Sequence, residues 1–204
     1  MLKNLGLLLA LGSALLRADI IALDPGSRDP NLISFDPHVL GWEFTISQTI
    51  TVTQLGVFDA DGDGLMASHA VGLWSSTGNL LTSSTIPAGT VAGLMDGFRY
   101  ESIASIVLNP GTYVIGAFYD QGNDELVAFA SNFATASPVT FVKNRTTSTQ
   151  ISGLVFPPDT FRVQDPGYFG PNFQFTTPEP SALLLCGAGL LALANLLRGR
   201  GGVR

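Results

Sequence analysis

The feature that most constrains this chain is the regular punctuation of its middle by turn-forming residues. Gly, Pro, Ser, Thr, Asn and Asp interrupt short apolar runs about every eight to twelve residues, and helical periodicity is weak. This spacing is typical of an antiparallel sandwich or barrel. We therefore predict an all-β fold, an antiparallel β-sandwich of jelly-roll or Ig-like type, with strands at Gly41–Ile46, Thr49–Phe58, His69–Ser75, Leu80–Ile86, Ile103–Leu108, Thr112–Tyr119, Leu126–Ser131, Thr140–Val142, Gln150–Val155 and Asn172–Thr176.

Two local patterns refine this prediction. Ile50 and Val52 alternate with threonines, as expected of a half-buried strand, but the apolar phase slips by one before Leu55. A slip of one residue moves every later side chain to the other face, so it predicts a β-bulge or a strand that switches sheets. The sequence Ser76-Thr77-Gly78-Asn79 predicts a tight hairpin between its two flanking strands.

The N-terminus has the layout of a secretory signal peptide. Lys3 precedes an almost unbroken apolar run from Leu5 to Leu16, and Arg17 and the small residue Ala18 follow. We predict a signal helix over residues 1–18, with cleavage near Ala18, before Asp19. The alternative is a buried N-terminal helix. The run is short of the roughly 20 residues that a spanning anchor needs.

A second apolar run, Ser181–Leu197, lies near the C-terminus. As a helix it would be about 26 Å long, just enough to cross a bilayer. The residues behind it include three arginines and no acid, which predicts that this end stays on the cytoplasmic side. In front of the run, Pro178 and Pro180 flank Glu179 and keep the chain extended, so a transmembrane helix can begin only after them.

The last 27 residues resemble the PEP-CTERM sorting signal of Gram-negative bacteria. The motif Pro178-Glu179-Pro180-Ser181, the Gly/Ala/Leu-rich span and the Arg-rich end occur in that order. The resemblance implies recognition by an exosortase, a membrane-embedded processing enzyme, near Pro178, Glu179 and Pro180. It also implies a host that secretes exopolysaccharide. The expected organisation is a signal peptide at 1–18, a β-sandwich domain at 19–177 and the sorting signal at 178–204.

Charge and composition exclude several classes of function. Residues 19–177 hold five basic residues against 15 acidic ones, a net charge of 5 − 15 = −10, whereas a nucleic-acid binder needs a basic face. The chain has one cysteine and two histidines, which excludes an intramolecular disulfide, a Cys-cluster zinc site and a three-His metal site.

One acidic loop is the clearest candidate for a metal site. In Asp59-Ala60-Asp61-Gly62-Asp63-Gly64 the acids alternate and a glycine follows the third. Oxygen ligands in this pattern suit calcium, with Asp59, Asp61 and Asp63 as ligands. The position that carries the bidentate Glu of an EF-hand is Ala70, so an EF-hand is excluded. Oxygens from Glu43, Asp120 or Asp124 could complete a calcium loop, and the alternative is an acidic turn without an ion.

The sequence offers no constellation that indicates an enzyme. Ser68 and His69 are adjacent, so in a strand their side chains point to opposite faces. The chain lacks a Gly-x-Ser-x-Gly elbow and a Walker-type phosphate loop. Fifteen acids form too many pairs for any one pair to indicate a glycosidase.

Aromatic residues are the candidates for sugar contact. Trp42 and Trp74 lie in alternating apolar runs, which favours core packing. The aromatic, Pro-rich segment between Phe156 and Phe173 includes Tyr168 and Phe169, which we take as candidate carbohydrate contacts. The alternative is that this segment packs over the sandwich as a long loop.

The middle of the chain also resembles a bacterial exported domain of unknown function. The resemblance covers roughly Gly41 to Phe175 and rests on Gln54–Asp59, His69–Trp74, Gly97–Tyr100 and Leu108–Ala117. It implies a β-sandwich and no known reaction. Together these patterns predict a non-enzymatic protein, exported and transiently anchored in the inner membrane, with a structural or binding role in the exopolysaccharide matrix. The alternative is a carbohydrate-binding module with a calcium-stabilised loop.

Overall fold

A computed structural model describes residues 18–26, 30–31, 37–59, 61–120, 126–127, 130, 132–160 and 167–178. Every regular element in these ranges is a β-strand, and none of them contains a helix that could span a bilayer. The predicted signal helix and transmembrane helix lie outside the described residues. The strands are β1 (Ile20–Ile21), β2 (Leu23–Asp24), β3 (Pro30–Asn31), β4 (His38–Ile46), β5 (Ile50–Phe58), β6 (His69–Ser75), β7 (Leu80–Ile86), β8 (Gly93–Met95), β9 (Phe98–Leu108), β10 (Gly111–Tyr119), β11 (Leu126–Val127), β12 (Ala134–Thr135), β13 (Val139–Thr146), β14 (Asp159–Thr160) and β15 (Pro171–Thr176).

The strands form two main sheets in which neighbouring strands are antiparallel. One sheet has the order β1-β15-β5-β9-β8 and the other has the order β14-β13-β4-β10-β6-β7. Two short pairs, β11 with β3 and β12 with β2, lie beside them. The all-β antiparallel prediction is confirmed for the described residues.

Aromatic rings from the two sheets meet in the core. Trp42 and Phe44 of β4 contact Phe173 of β15, with ring centroids 5.9 Å and 4.9 Å apart. The indole Nε1–H of Trp42 also donates to the carbonyl of Pro171 over 2.9 Å, which satisfies its polar atom. This packing of one sheet on the other is that of a β-sandwich.

The predicted irregularity in β5 is a β-bulge at Thr53. Gln54 pairs with Gln174 and Val52 pairs with Phe175, so Thr53 is an extra residue on β5 in its pairing with β15. The bulge allows Val52 and Leu55 both to be fully buried although they are three residues apart.

Most predicted strands are present, some of them longer than expected. β6 and β7 have the predicted bounds, and the hairpin between them closes through Gly78, whose φ of 88° favours glycine. The prediction of a strand at Gln150–Val155 is wrong. These residues are irregular, and the Ile151 N–H donates to the Pro37 carbonyl oxygen over 3.0 Å. An alternating apolar pattern alone cannot supply the partner strand that pairing requires.

The first and last strands of the domain pair with each other. Ile20 of β1 lies opposite Phe175 of β15, and Asp19 accepts hydrogen bonds from Thr53 and Gln54. Because the pair is antiparallel, residues 18–19 and 176–178 lie together at one end of the sandwich. The acidic loop follows the opposite end of β5, about 27–30 Å away at about 3.3 Å per residue.

Candidate functional site

The acidic loop brings its three aspartates together. Asp59, Asp61 and Asp63 each offer a carboxylate oxygen, and these oxygens all lie within 4.8 Å of one another. Asp59 is buried, whereas Asp61 and Asp63 are exposed. The chain can turn this tightly because Gly62 and Gly64 have φ values of 75° and 117°, which side-chain-bearing residues rarely adopt.

A buried arginine side chain forms hydrogen bonds with this loop. Arg99 of β9 donates from Nε to Oδ2 of Asp59 over 2.6 Å, and both side chains are at most 5% exposed. Its other nitrogens donate to the carbonyl oxygens of Gly62 at 2.7 Å, Ala92 at 3.1 Å and Thr90 at 3.3 Å. One guanidinium therefore joins the acidic loop to the segment before β8.

The two exposed aspartates repel each other. The nearby charge of Asp61 raises the pKa of Asp63 above its ordinary value, and a hydrogen bond with Asp61 adds to this shift. Desolvation and the charge of Asp59 act in the same direction, whereas Arg99 opposes them. Among the described residues, no cation forms an ion pair with Asp61 or Asp63.

The donor set fits a hard cation at the solvent side of the loop. Arg99 occupies one oxygen of Asp59, which leaves its second oxygen and the carboxylates of Asp61 and Asp63. The three acids and the arginine carry a formal charge of −3 + 1 = −2, so the loop attracts a divalent ion less strongly than three free carboxylates would.

The residues expected to complete this site lie elsewhere or are not described. Glu43 lies on β4, where it pairs with Arg145 and approaches Lys143 at 3.8 Å. Asp120 is exposed directly after β10, and Asp124 lies outside the described residues. Within the described part of the chain, only Asp59, Asp61 and Asp63 form an acidic cluster of this kind.

Sequence reasoning missed Arg99. Two signals could have identified it: the Asp96-Gly97 pair, which favours a tight hairpin, and the Phe98-Arg99-Tyr100 run that follows it. In the structure Asp96 and Gly97 both have positive φ and connect β8 to β9. A charged residue between two buried aromatic residues needs a buried partner, and Asp59 is that partner.

The aromatic candidates for sugar contact are buried. Phe169 is fully buried, with ring centroids 4.9 Å from Phe133 and 5.6 Å from Phe141. Tyr168 is 5% exposed, so neither ring presents an open face to a ligand. The prediction that Trp42 and Trp74 pack internally is confirmed, and Tyr100 and Tyr119 are buried as well.

Two other polar side chains, those of His69 and Tyr100, are buried. His69 begins β6 as predicted, and its Nδ1 lies 3.0 Å from the carbonyl oxygen of Phe118. The hydroxyl of Tyr100 has no hydrogen-bond partner among the described residues, and burial raises its pKa well above the ordinary value, with the charge of Asp96 adding to the shift.

Pro178, the first residue of the predicted sorting motif, lies two residues after the end of the last strand. β15 ends at Thr176, Thr177 is half-buried and Pro178 is exposed. Glu179 and Pro180 lie outside the described residues.

Comparison with known proteins identifies the domain. The model of a domain of unknown function, DUF4082, matches residues 29–169. The chain belongs to this family. The match begins earlier and ends earlier than the expected range of Gly41 to Phe175, and it assigns no activity. No curated protein and no solved structure matches the chain.

Proposed function

We propose that this DUF4082 protein is a non-enzymatic exported protein, sorted by an exosortase and retained in the exopolysaccharide matrix of a Gram-negative bacterium. Its role there is structural or binding. The observation that supports this proposal best is the pairing of β1 with β15. Because of that pairing, Ala18, where we expect the first cut, and the exposed Pro178 lie at the same end of the domain.

This geometry suits a protein that is processed at both ends. The β1–β15 pair includes Ile20, Ile21, Gln174 and Phe175 and lies wholly between the two proposed cuts. Removal of residues 1–18 and of the sequence after Pro178 would leave the two sheets intact. The acidic loop lies at the other end of β5, so it would face away from the membrane while the tail is still inserted.

A carbohydrate-binding module with a calcium-stabilised loop is the second candidate. Eight of the strands, β1, β4, β5, β6, β7, β9, β10 and β15, can be numbered 1 to 8 along the chain, and they then lie in the orders 1-8-3-6 and 2-7-4-5. We interpret this order as a jelly roll, to which β13 and short strands are added, and lectin domains use that form of sandwich. The cluster of Asp59, Asp61 and Asp63 would hold the calcium, which would neutralise the repulsion between the exposed acids.

The proposal is tested on the protein recovered from a host that carries the sorting system. Intact mass and peptide mapping of both termini are expected to give a chain that starts near Asp19 and ends between Pro178 and Ser181. Glu179→Ala should prevent the second cut, whereas Glu101→Ala, a matched change on β9, should leave it unchanged. A wild-type chain that retains residues 183–204 would contradict processing, and one that retains Met1 would contradict export.

A glycan-binding assay distinguishes the second candidate function from the first. The recovered protein is exposed to its host's exopolysaccharide with calcium and then with a chelator. Retention that depends on calcium, and that is lost in the Asp61→Asn/Asp63→Asn variant, favours the carbohydrate-binding module. Equal retention in both conditions would remove calcium from the proposal.

A further inference from the structure

Three large apolar side chains are exposed beside the acidic loop. Met66 is 69% exposed, Val91 is 83% exposed and Leu94 is 47% exposed. Exposed apolar residues are ordinary when they are scattered singly, but a group of them next to one another indicates a contact surface.

Backbone and side-chain contacts link the segments that carry these three residues to one another and to the acidic loop. Leu65 and Gly89 exchange backbone hydrogen bonds of 3.2 Å and 2.7 Å, which joins the segment of Met66 to the segment of Val91. A Cβ at Gly62 would lie only 2.9 Å from Cδ2 of Leu94, so the Leu94 side chain rests against the acidic loop.

The buried guanidinium of Arg99 hydrogen-bonds the segments that carry this arrangement to one another. It binds carbonyl oxygens on both sides of Val91, those of Thr90 and Ala92, and also the carbonyl of Gly62. A surface that is already held in one conformation loses less conformational entropy when a partner binds. The loops are therefore organised for contact before any partner arrives.

We propose that Asp61, Asp63, Met66, Val91 and Leu94 form a docking surface for a protein segment that carries apolar side chains beside Lys or Arg. We call it the acidic–apolar surface. Its apolar residues supply contact area, and methionine is enriched at the centres of protein interfaces. Its two aspartates have no cationic partner among the described residues, so a basic side chain would relieve their mutual repulsion.

Other occupants fit this surface less well. A glycan stacks best on an exposed aromatic ring, and Trp42, Trp74, Tyr168 and Phe169 are buried. Nucleic acid would be repelled by the acids. A second copy placed symmetrically on the same patch would bring aspartates against aspartates, in a domain whose net charge is −10 over residues 19–177.

The surface does not depend on how the chain is sorted. Only its orientation, away from the membrane while the tail is inserted, rests on the proposed function. A docking measurement on the recovered protein therefore tests the surface even if the expected cut after Pro178 does not occur.

The test uses a short peptide that alternates Leu and Lys, with an otherwise identical Leu–Glu peptide as the control. Binding to the protein recovered from its host is followed by fluorescence anisotropy. We expect the Leu–Lys peptide alone to bind, and its affinity to fall as salt rises from about 0.05 M to about 0.5 M, because surface charges become screened.

Variants locate the binding site. Met66→Ser/Val91→Ser/Leu94→Ser and Asp61→Asn/Asp63→Asn should each weaken peptide binding at least about tenfold. Val107→Ser, a change at a 63% exposed valine at the other end of β9, should leave it unchanged. Equal affinity in all variants, or equal binding of the Leu–Glu peptide, would overturn the proposal. So would sedimentation showing a dimer that only the triple serine variant dissociates, since the surface would then bind a second copy.

Discussion

The Nε–H of Arg99 donates to Oδ2 of Asp59 over 2.6 Å, and both side chains are almost completely buried. The acid begins the loop after β5 and the base belongs to β9, so this pair attaches the loop to the five-stranded sheet. Burial of a charge is costly unless it is paired and hydrogen-bonded, and here both conditions are met. The same guanidinium also positions the loops that carry the acidic–apolar surface.

Replacement of Arg99 by Met should therefore destabilise the fold strongly. The change leaves Asp59 buried without its partner, which typically costs about 3–5 kcal/mol of the free energy of unfolding. Urea denaturation measures the loss. Lys143→Met is the matched control, because its amine is partly exposed and 3.8 Å from Glu43, so we expect a change of less than about 1 kcal/mol. Equal losses in the two variants would contradict the role of Arg99.

Phe169→Ala separates a core role from a sugar contact. Because the ring is fully buried among Trp42, Phe133 and Phe141, its removal should cost about 3–5 kcal/mol in urea denaturation. Val155→Ala, at an exposed site, should change stability by less than about 0.5 kcal/mol. An unchanged unfolding midpoint together with lost exopolysaccharide retention would instead make Phe169 a ligand contact.

Gly72 has no side chain, and the Trp74 ring occupies the space that a Cβ would fill. A Cβ at this position would collide with that ring, and Trp74 is itself buried, so Gly72→Ala should lower the unfolding free energy by about 1–3 kcal/mol. Gly93→Ala is the control, since a Cβ there meets nothing within 4 Å. We expect it to be neutral or to stabilise by up to about 1 kcal/mol, because alanine restricts the unfolded chain. A thermal melt in which the two variants behave alike would refute this packing.

Features that depend on neighbouring residues in the sequence were predictable, whereas features that depend on distant residues were not. The bulge at Thr53 and the hairpin at Gly78 were predictable because both arise from local patterns of side chains. The strand expected at Gln150–Val155 was wrong because pairing depends on a distant partner. The proximity of the three aspartates was likewise local, whereas the bond from Arg99 to Asp59 spans 40 positions and depends on the register of β5 with β9.

The hydroxyl of Tyr100 should make the fold sensitive to alkaline pH. Burial holds its pKa well above the ordinary value, so the folded protein keeps this proton while the unfolded chain releases it above about pH 10. The folded state then binds more protons than the unfolded state, and the free energy of unfolding falls as pH rises through that range. Tyr100→Phe should flatten the decline between about pH 9 and pH 11 in urea midpoints more than Tyr113→Phe does, because Tyr113 is only partly buried. Equal slopes in both variants would contradict this assignment.

Calcium should stabilise the acidic loop if the second candidate function holds. Extracellular calcium sites commonly have dissociation constants near about 10⁻⁴–10⁻³ M, and the guanidinium of Arg99 favours the weaker end of this range. At a calcium concentration about ten times the dissociation constant, binding adds about 1.4 kcal/mol, or a rise in Tm of about 3–6 °C. Asp61→Asn/Asp63→Asn should abolish this rise.

Without calcium, the same variant should melt at or above the wild-type temperature because it removes the repulsion that raises the pKa of Asp63. In wild type that repulsion opposes folding at pH values above the raised pKa and is relieved as pH falls through it. Calorimetry with a chelator and with millimolar calcium measures both effects, and a wild-type Tm that does not respond to calcium would remove the ion from this site.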